Sequence, residues 1–242
     1  MNLDGRVTIV TGGARRVGAV LSRTLAAAGA SVAVNYHASA AEAEALVREL
    51  EAAGGRARAF RADVSDPAQV KRLVEEVGAA FGGIDVLVNN ASRFDRKPFA
   101  DITVDEWDRA LAVNLRGPFL LAQAAAHALR ERQGAIINIL DLSAFQAWPS
   151  YIHHATSKAG LLHLTRLLAR ALAPDVRVNA VAPGTVLPPD DFDGSDNAGG
   201  MDRRLLERAG SPEDVAGAVR YLLEADFVTG EVLVVDGGRR LL

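Results

Sequence analysis

The stretch Val7-Thr8-Ile9-Val10-Thr11-Gly12-Gly13-Ala14-Arg15-Arg16-Val17-Gly18 decides the fold. A short β-branched run stops at paired glycines. Beyond them Val17, Val20, Leu21, Leu25 and Ala28 recur at helical spacing, and Gly29 stands where such a helix should end. A strand that turns on glycines into a helix lets the backbone approach a pyrophosphate, and the helix N-terminus offers the positive end of its dipole. Gly12, Arg15, Arg16, Val17 and Gly18 are therefore candidate phosphate-binding residues.

The same alternation runs outward from this stretch. Ser31–Tyr36 reads as a second strand, and Ala40–Ala53 as a helix with Ser39 and Glu42 spaced as a capping box. A third strand ends near Ala62, and Asp66 with Pro67 opens the next helix. Ile84–Val88 is apolar after Asp85, as a strand buried on both faces requires. Thr103 and Glu106 cap a helix, Phe119–Arg132 is another, and Ala135–Leu140 is a strand. Tyr151–Ala173 forms a long helix, Val176–Val181 a strand, Ser211–Pro212 opens a late helix, and Val232–Val235 is the last strand. The expectation is an α/β fold: one doubly wound, Rossmann-type parallel sheet of about seven strands with helices on both faces. It should form a single domain over 1–242, with 184–200 as a mobile substrate loop.

Composition narrows the function classes. A length of 242 residues suits one core, and 49% hydrophobic residues argue against disorder. A net charge of −3 leaves no footprint for nucleic acid or an anionic membrane. No cysteine is present, which removes disulfides and thiolate chemistry and fits a reducing, cytoplasmic setting. The opening MNLDGRVTIVTGG turns to glycine after one short apolar run, so no signal peptide is expected. No metal site is expected, because the histidines lack metal-ligand spacing, and no G-x-S-x-G elbow supports a serine hydrolase.

Cofactor selectivity should be written after the second strand, where an acid would accept from ribose hydroxyls and repel a 2′-phosphate. Here Asn35, Tyr36, His37 and Ser39 carry no acid, and Arg15 and Arg16 add charge nearby. NADPH is the expected cofactor, and Asn35→Asp is expected to move selectivity toward NADH.

Further stretches fall into a consistent order: Asp63-Val64, Asn89-Asn90-Ala91-Ser92, Asn114, Asp141, Lys158, Pro183-Gly184 and Val235-Asp236-Gly237-Gly238. In this order they resemble the short-chain dehydrogenase/reductase superfamily over essentially the whole chain. Arg16, Tyr36-His37, Asp141 and Asn90-Ala91-Ser92-Arg93-Phe94 look more narrowly like the pteridine reductase branch. That resemblance implies cofactor contacts from Asp63, Val64, Asn90, Ala91, Ser92, Lys158, Pro183 and Gly184, and catalytic roles for Asn114, Asp141 and Lys158. It also implies a pterin-like substrate stacked on Phe94, with Arg16, Asp141, Tyr151 and Leu187 around it, and a homotetramer paired through the long helices and the last strand.

One position departs from the family. The superfamily carries its catalytic Tyr four residues before the Lys, and four before Lys158 stands His154. Asp141 lies thirteen residues before position 154, the family's own spacing. Three readings remain open. His154 replaces the phenol as acid, or Asp141 is the main acid with His154 in support; an imidazole titrates near neutrality and suits either part. Tyr151, one helical turn earlier, supplies the hydroxyl instead. Or the chain binds NADPH without efficient reduction and serves as sensor or scaffold; a carbonyl or quinone reductase is the remaining enzymatic alternative.

Overall fold

A computed structural model describes residues 1–187 and 204–242. The expected mobile loop therefore falls largely outside the described residues, apart from 184–187. Seven strands alternate with helices among the described residues: β1 (Val7–Val10), α1 (Arg16–Ala27), β2 (Ser31–Tyr36), α2 (Ala40–Ala52), β3 (Arg56–Arg61), α3 (Pro67–Phe81) and β4 (Val86–Asn89). Then follow α4 (Val104–Leu111), α5 (Gly117–Glu131), β5 (Ala135–Ile139), α6 (Ile152–Leu172), β6 (Arg177–Pro183), α7 (Pro212–Glu224) and β7 (Val232–Val235).

The strands pair in parallel in the order β3-β2-β1-β4-β5-β6-β7. The chain starts in the middle, winds out to β3, then returns past β1 to β4. The winding direction reverses between β1 and β4, and a crevice opens there beyond the strands' C-terminal ends. Val86, Leu87 and Val88 are fully buried, as are Ile136 and Ile137. One apolar layer packs α1, α2 and α7 on one face of the sheet; the other packs α3, α5 and α6 on the opposite face.

Local signals held where they were self-contained. The Asp66 carboxylate accepts from the Ala68 and Gln69 amides ahead of Pro67, and Thr103 and Glu106 form a complete capping box. The box expected at Ser39 and Glu42 does not form: Ser39 makes no capping bond, and the Glu42 carboxylate lies 4.0 Å from Arg15 Nε. A cation from the phosphate loop draws the glutamate outward. Asp85 also departs from its expected place. It precedes β4 rather than lying in it, fully buried, accepting from Arg6 Nη1 at 2.7 Å and the Val7 amide at 2.9 Å. This buried carboxylate ties the starts of β1 and β4 together at the end of the sheet opposite the crevice.

Candidate active site

The loop after β1 is latched to the loop after β4. Thr11 Oγ1 accepts from the Asn90 and Ala91 amides at 2.9 and 3.0 Å, and Asn90 Nδ2 donates to the carbonyls of Thr11 and Gly12. Helix α1 then begins with no side-chain cap and no acid in its first turn, so its amides face the crevice. At Gly18 a Cβ would stand 2.1 Å from the Gly12 carbonyl oxygen and 2.7 Å from Asn90 Nδ2, so only glycine fits. Arg16 occupies the left-handed region, with φ 51°. A side chain there costs about 1–2 kcal/mol relative to glycine. This is the place where the superfamily pattern has glycine, so the chain tolerates strain to put a guanidinium on the cavity wall.

A cavity of about 470 Å³ runs from this loop across the sheet to β5 and β6. Gly12, Arg15, Arg16, Val17 and Gly18 line it, with Tyr36, His37, Ser39, Asn90, Ala91, Ser92, Phe94, Asp141, His154, Lys158, Pro183, Gly184 and Leu187. Among the described lining residues Asp141 is the one carboxylate, against Arg15, Arg16, Lys158 and Arg239. A glycine cradle, open helix amides and a cationic wall suit a dinucleotide with its phosphates.

Five expected site residues do not line the cavity. Asn35 is buried, donating from Nδ2 to the carbonyls of Phe60 and Ala62, while its Oδ1 accepts from the Gly12 amide. It braces the loop against β3, and the residues after β2 that reach the cavity are Tyr36, His37 and Ser39. Asn35→Asp would therefore bury a carboxylate against two carbonyls rather than meet a ribose. Asp63 accepts from the amide and hydroxyl of Ser65, and Val64 is buried. Tyr151 stacks on Phe94, with ring centres 4.5 Å apart, so the hydroxyl donor considered from sequence belongs to a ring that backs the cavity wall. Asn114, also behind the wall, has a structural reason for its position. It lies in a single π turn, Ala112–Arg116, between α4 and α5, and such turns redirect a side chain out of the regular helical repeat.

The polar core of the site is built around His154, which is 1% exposed. Its Nε2 lies 2.6 Å from Asp141 Oδ2, and its Nδ1 lies 2.8 Å from the Arg93 carbonyl oxygen. Asn114 Nδ2 donates to Arg93 O and Ser157 Oγ at 2.9 Å each, and its Oδ1 accepts from the Arg93 amide at 2.7 Å. A carbonyl can only accept, so Nδ1 carries a proton. A lone pair on Nε2 facing a carboxylate at hydrogen-bond distance would be repulsive, so a second proton lies between Nε2 and Asp141. Burial pushes the Asp141 carboxyl up, but the hydrogen bond and charge of His154, the charge of Lys158 and the Ser143 hydrogen bond outweigh it. They hold the group at about 2. Lys158 donates from Nζ to the Ile139 carbonyl at 2.8 Å, and burial lowers its pKa while Asp141 raises it. The neighbouring His153 is fully buried, with neither ring nitrogen hydrogen-bonded among the described residues. It fills space, as packing predicts.

Six lining residues stand outside the expected set: Ala14, Ile139, Leu140, Trp148, Thr185 and Arg239. Trp148 lines the cavity, edge-on to Phe94 at 6.4 Å; one of only two tryptophans, between Asp141 and α6, it was a visible signal. Arg239, in the C-terminal turn, also lines it. Its place there depends on the folding back of the chain end, which no local pattern announces.

Comparison with known proteins agrees with this geometry. Residues 12–240 match the family described as enoyl-(acyl carrier protein) reductase. The chain is 38% identical to 3beta-hydroxysteroid dehydrogenase 1 of Eggerthella lenta, covering 99% of this chain and 95% of that one. It is 36% identical to a 3-oxoacyl-[acyl-carrier-protein] reductase of Synechocystis sp., covering 98% and 97%. A blue fluorescent protein from a metagenomic library, solved in complex with NADPH, superposes with a TM-score of 0.91 at 40% identity, covering 98% of this chain and 99% of that one. No helix among the described residues is long and apolar enough to cross a membrane, and no metal-binding cluster occurs among them. The chain belongs to the short-chain dehydrogenase/reductase superfamily and is an NAD(P)-dependent oxidoreductase with a Rossmann-type sheet.

Proposed function

We propose that this protein uses NADPH to reduce a flat, pterin-like nitrogen heterocycle, with the proton supplied by the Asp141–His154 pair. The observation that carries this reading is the 2.6 Å contact between His154 Nε2 and Asp141 Oδ2, in a cavity also lined by Arg16 and Phe94. NADPH, when bound, supplies the hydride. Its phosphates fall to the Gly12–Gly18 loop, Arg15 and Arg16, and its nicotinamide ribose to Lys158. Arg16 holds the acceptor edge of the heterocycle, and Phe94 offers it an aromatic surface backed by Tyr151.

His154 is sealed from the cavity on both ring nitrogens, whereas the Asp141 side chain keeps 20% of its surface exposed. Asp141 therefore touches the substrate, and His154 stores the proton behind it. The proton leaves His154 Nε2 through Asp141 to the ring nitrogen beside the carbon that receives the hydride. Neutral His154 then presents a lone pair to an ionised carboxylate, and that repulsion draws a replacement proton from solvent. A second reading, an NADPH-binding sensor or scaffold with little turnover, draws on the same sealing of the imidazole. Half-exposed β7 and the exposed Phe119 and Leu167 of α5 and α6 supply faces for the homotetramer, and absence of cysteine suits the cytoplasm.

Anaerobic incubation with NADPH and a panel of dihydropterins, quinones and simple carbonyls tests the assignment. Oxidation selective for pterins supports it, oxidation selective for carbonyls moves it to a carbonyl reductase, and tight binding without turnover supports the second reading. The NADPH reading relies on the cationic lining and on the absence of an acid among Tyr36, His37 and Ser39. NADPH is expected to bind at least about tenfold tighter than NADH by fluorescence titration, one charge-assisted hydrogen bond sufficing for that ratio. Tyr36→Asp, not Asn35→Asp, should reverse the preference.

Arg16→Gly should separate stability from binding. Removing a left-handed non-glycine gains about 1–2 kcal/mol, partly offset by the looser unfolded chain. The melting temperature of the free protein should therefore hold or rise while NADPH affinity falls about tenfold. A large loss of stability would contradict the strain argument.

A further inference from the structure

We infer that Arg239 reads an anionic substituent on the substrate, so that the preferred substrate is a planar ring carrying a carboxylate-terminated arm. This deepens the proposed function and rests on its placement of the reacting ring at Asp141 and Phe94.

The C-terminal end of the chain is folded back to make this contact. After β7, Gly237 and Gly238 take φ of 62° and 83°, and Arg239–Leu241 forms a 3-10 turn. The Asp236 carboxylate holds the turn, Oδ1 accepting from the Gly238 amide at 2.8 Å and Oδ2 from the Arg240 amide at 2.9 Å. Both carboxylate oxygens are therefore spent on backbone. Arg239, half-buried, reaches across to the cavity wall. Its Nη1 donates to Thr185 Oγ1 at 2.9 Å, and its guanidinium carbon lies 5.6 Å from the Trp148 ring centre. No carboxylate lies within ion-pair distance of it among the described residues.

A guanidinium has five N–H donors in a planar fork, and here one is bonded to a hydroxyl. The tryptophan face steadies the cation without neutralising it. Lys158, the buried cation of the site, donates to the Ile139 carbonyl and lies on the cofactor side in the proposed reading. Asp141, Phe94, Trp148 and Arg239 thus form a sequence along one wall: proton donor, two aromatic rings, then a cation. A ligand that places its ring against the aromatic pair brings a short arm toward Arg239. An anionic oxygen group completes that fork; a neutral arm leaves it facing solvent.

The test uses matched pairs that differ in charge. Binding to the NADPH-loaded protein is titrated with methotrexate against 2,4-diaminopteridine, and reduction is followed for 4-carboxybenzaldehyde against benzaldehyde. The parent should prefer the carboxylated member of at least one pair by tenfold or more. Arg239→Gln should remove most of that preference, and Arg239→Lys should restore part of it, with the melting temperature of the free protein as the check on folding. If neither pteridine binds but the aldehyde preference appears and is lost in Arg239→Gln, the pterin assignment fails and the anion site stands. A parent without charge preference in either pair, a preference unchanged in Arg239→Gln, or a loss confined to NADPH affinity each overturns the inference.

Discussion

Asp141→Asn lowers the single-turnover rate of NADPH oxidation by the preferred substrate about 10²–10⁴-fold, the range for a lost general acid. The amide keeps the shape of the side chain and its bond to the Ser143 amide, but cannot pass on the proton that His154 Nε2 holds at 2.6 Å. His154→Ala should slow the same step by a comparable factor, since Asp141 then loses its proton store. His154→Tyr should exceed the parent, because Asn114 and Lys158 already stand in place behind it. NADPH affinity is the control in each case. The pH dependence lies in stability: the Asp141 carboxyl is depressed to about 2, so its contribution is present above the ordinary carboxylate value of about 3.9 and is lost as pH falls toward 2. If Asp141→Asn retains the parent rate while His154→Ala is inactive, the imidazole donates directly and the relay is wrong. A parent that turns over only after His154→Tyr is a cofactor-binding protein.

Gly18→Ala carries the second large effect. Its Cβ would lie 2.1 Å from the Gly12 carbonyl oxygen and 2.9 Å from the Gly12 carbonyl carbon, both backbone atoms that cannot swing aside. The loop must move away from α1, which costs about 1–3 kcal/mol as an overpacked site. Asn90 loses its bond to Gly12 O, and the amides aimed at the phosphates lose their alignment. Losing about 3 kcal/mol of charge-assisted hydrogen bonding corresponds to roughly 100-fold in NADPH affinity. Gly217→Ala is the matched control: it is exposed in the interior of α7 with nothing near its Cβ, so helix propensity alone should stabilise it by up to about 1 kcal/mol. Thermal melts and fluorescence titration of both variants make the comparison. Parent-like binding by Gly18→Ala would refute the cradle.

The sequence by itself determined the elements and their order. The β-branched runs at Val7–Val10, Ser31–Tyr36 and Val232–Val235 became strands at those bounds, and Asp66 and Thr103 capped the helices they precede. These features depend on periodicity and on neighbours within a turn, which a linear reading contains. The resemblance to short-chain dehydrogenases/reductases, rather than the strand pattern, pointed to Asp141, His154 and Lys158, and these line one cavity with Arg16. Only the tertiary structure decided directions and partners. Asn35 and Tyr36 are adjacent, yet strand alternation sends one into the packing and the other to the cavity, and the register with β3 chooses which. Ser39 lost its capping box because Arg15, from another loop, approached Glu42. The His154 ring is held from behind because a carbonyl 61 positions earlier meets its Nδ1. Arg239 and Trp148 meet because the last turn folds back over β6. Such contacts are set by how distant segments close on one another, and closure is a property of the packed sheet rather than of any local run of residues.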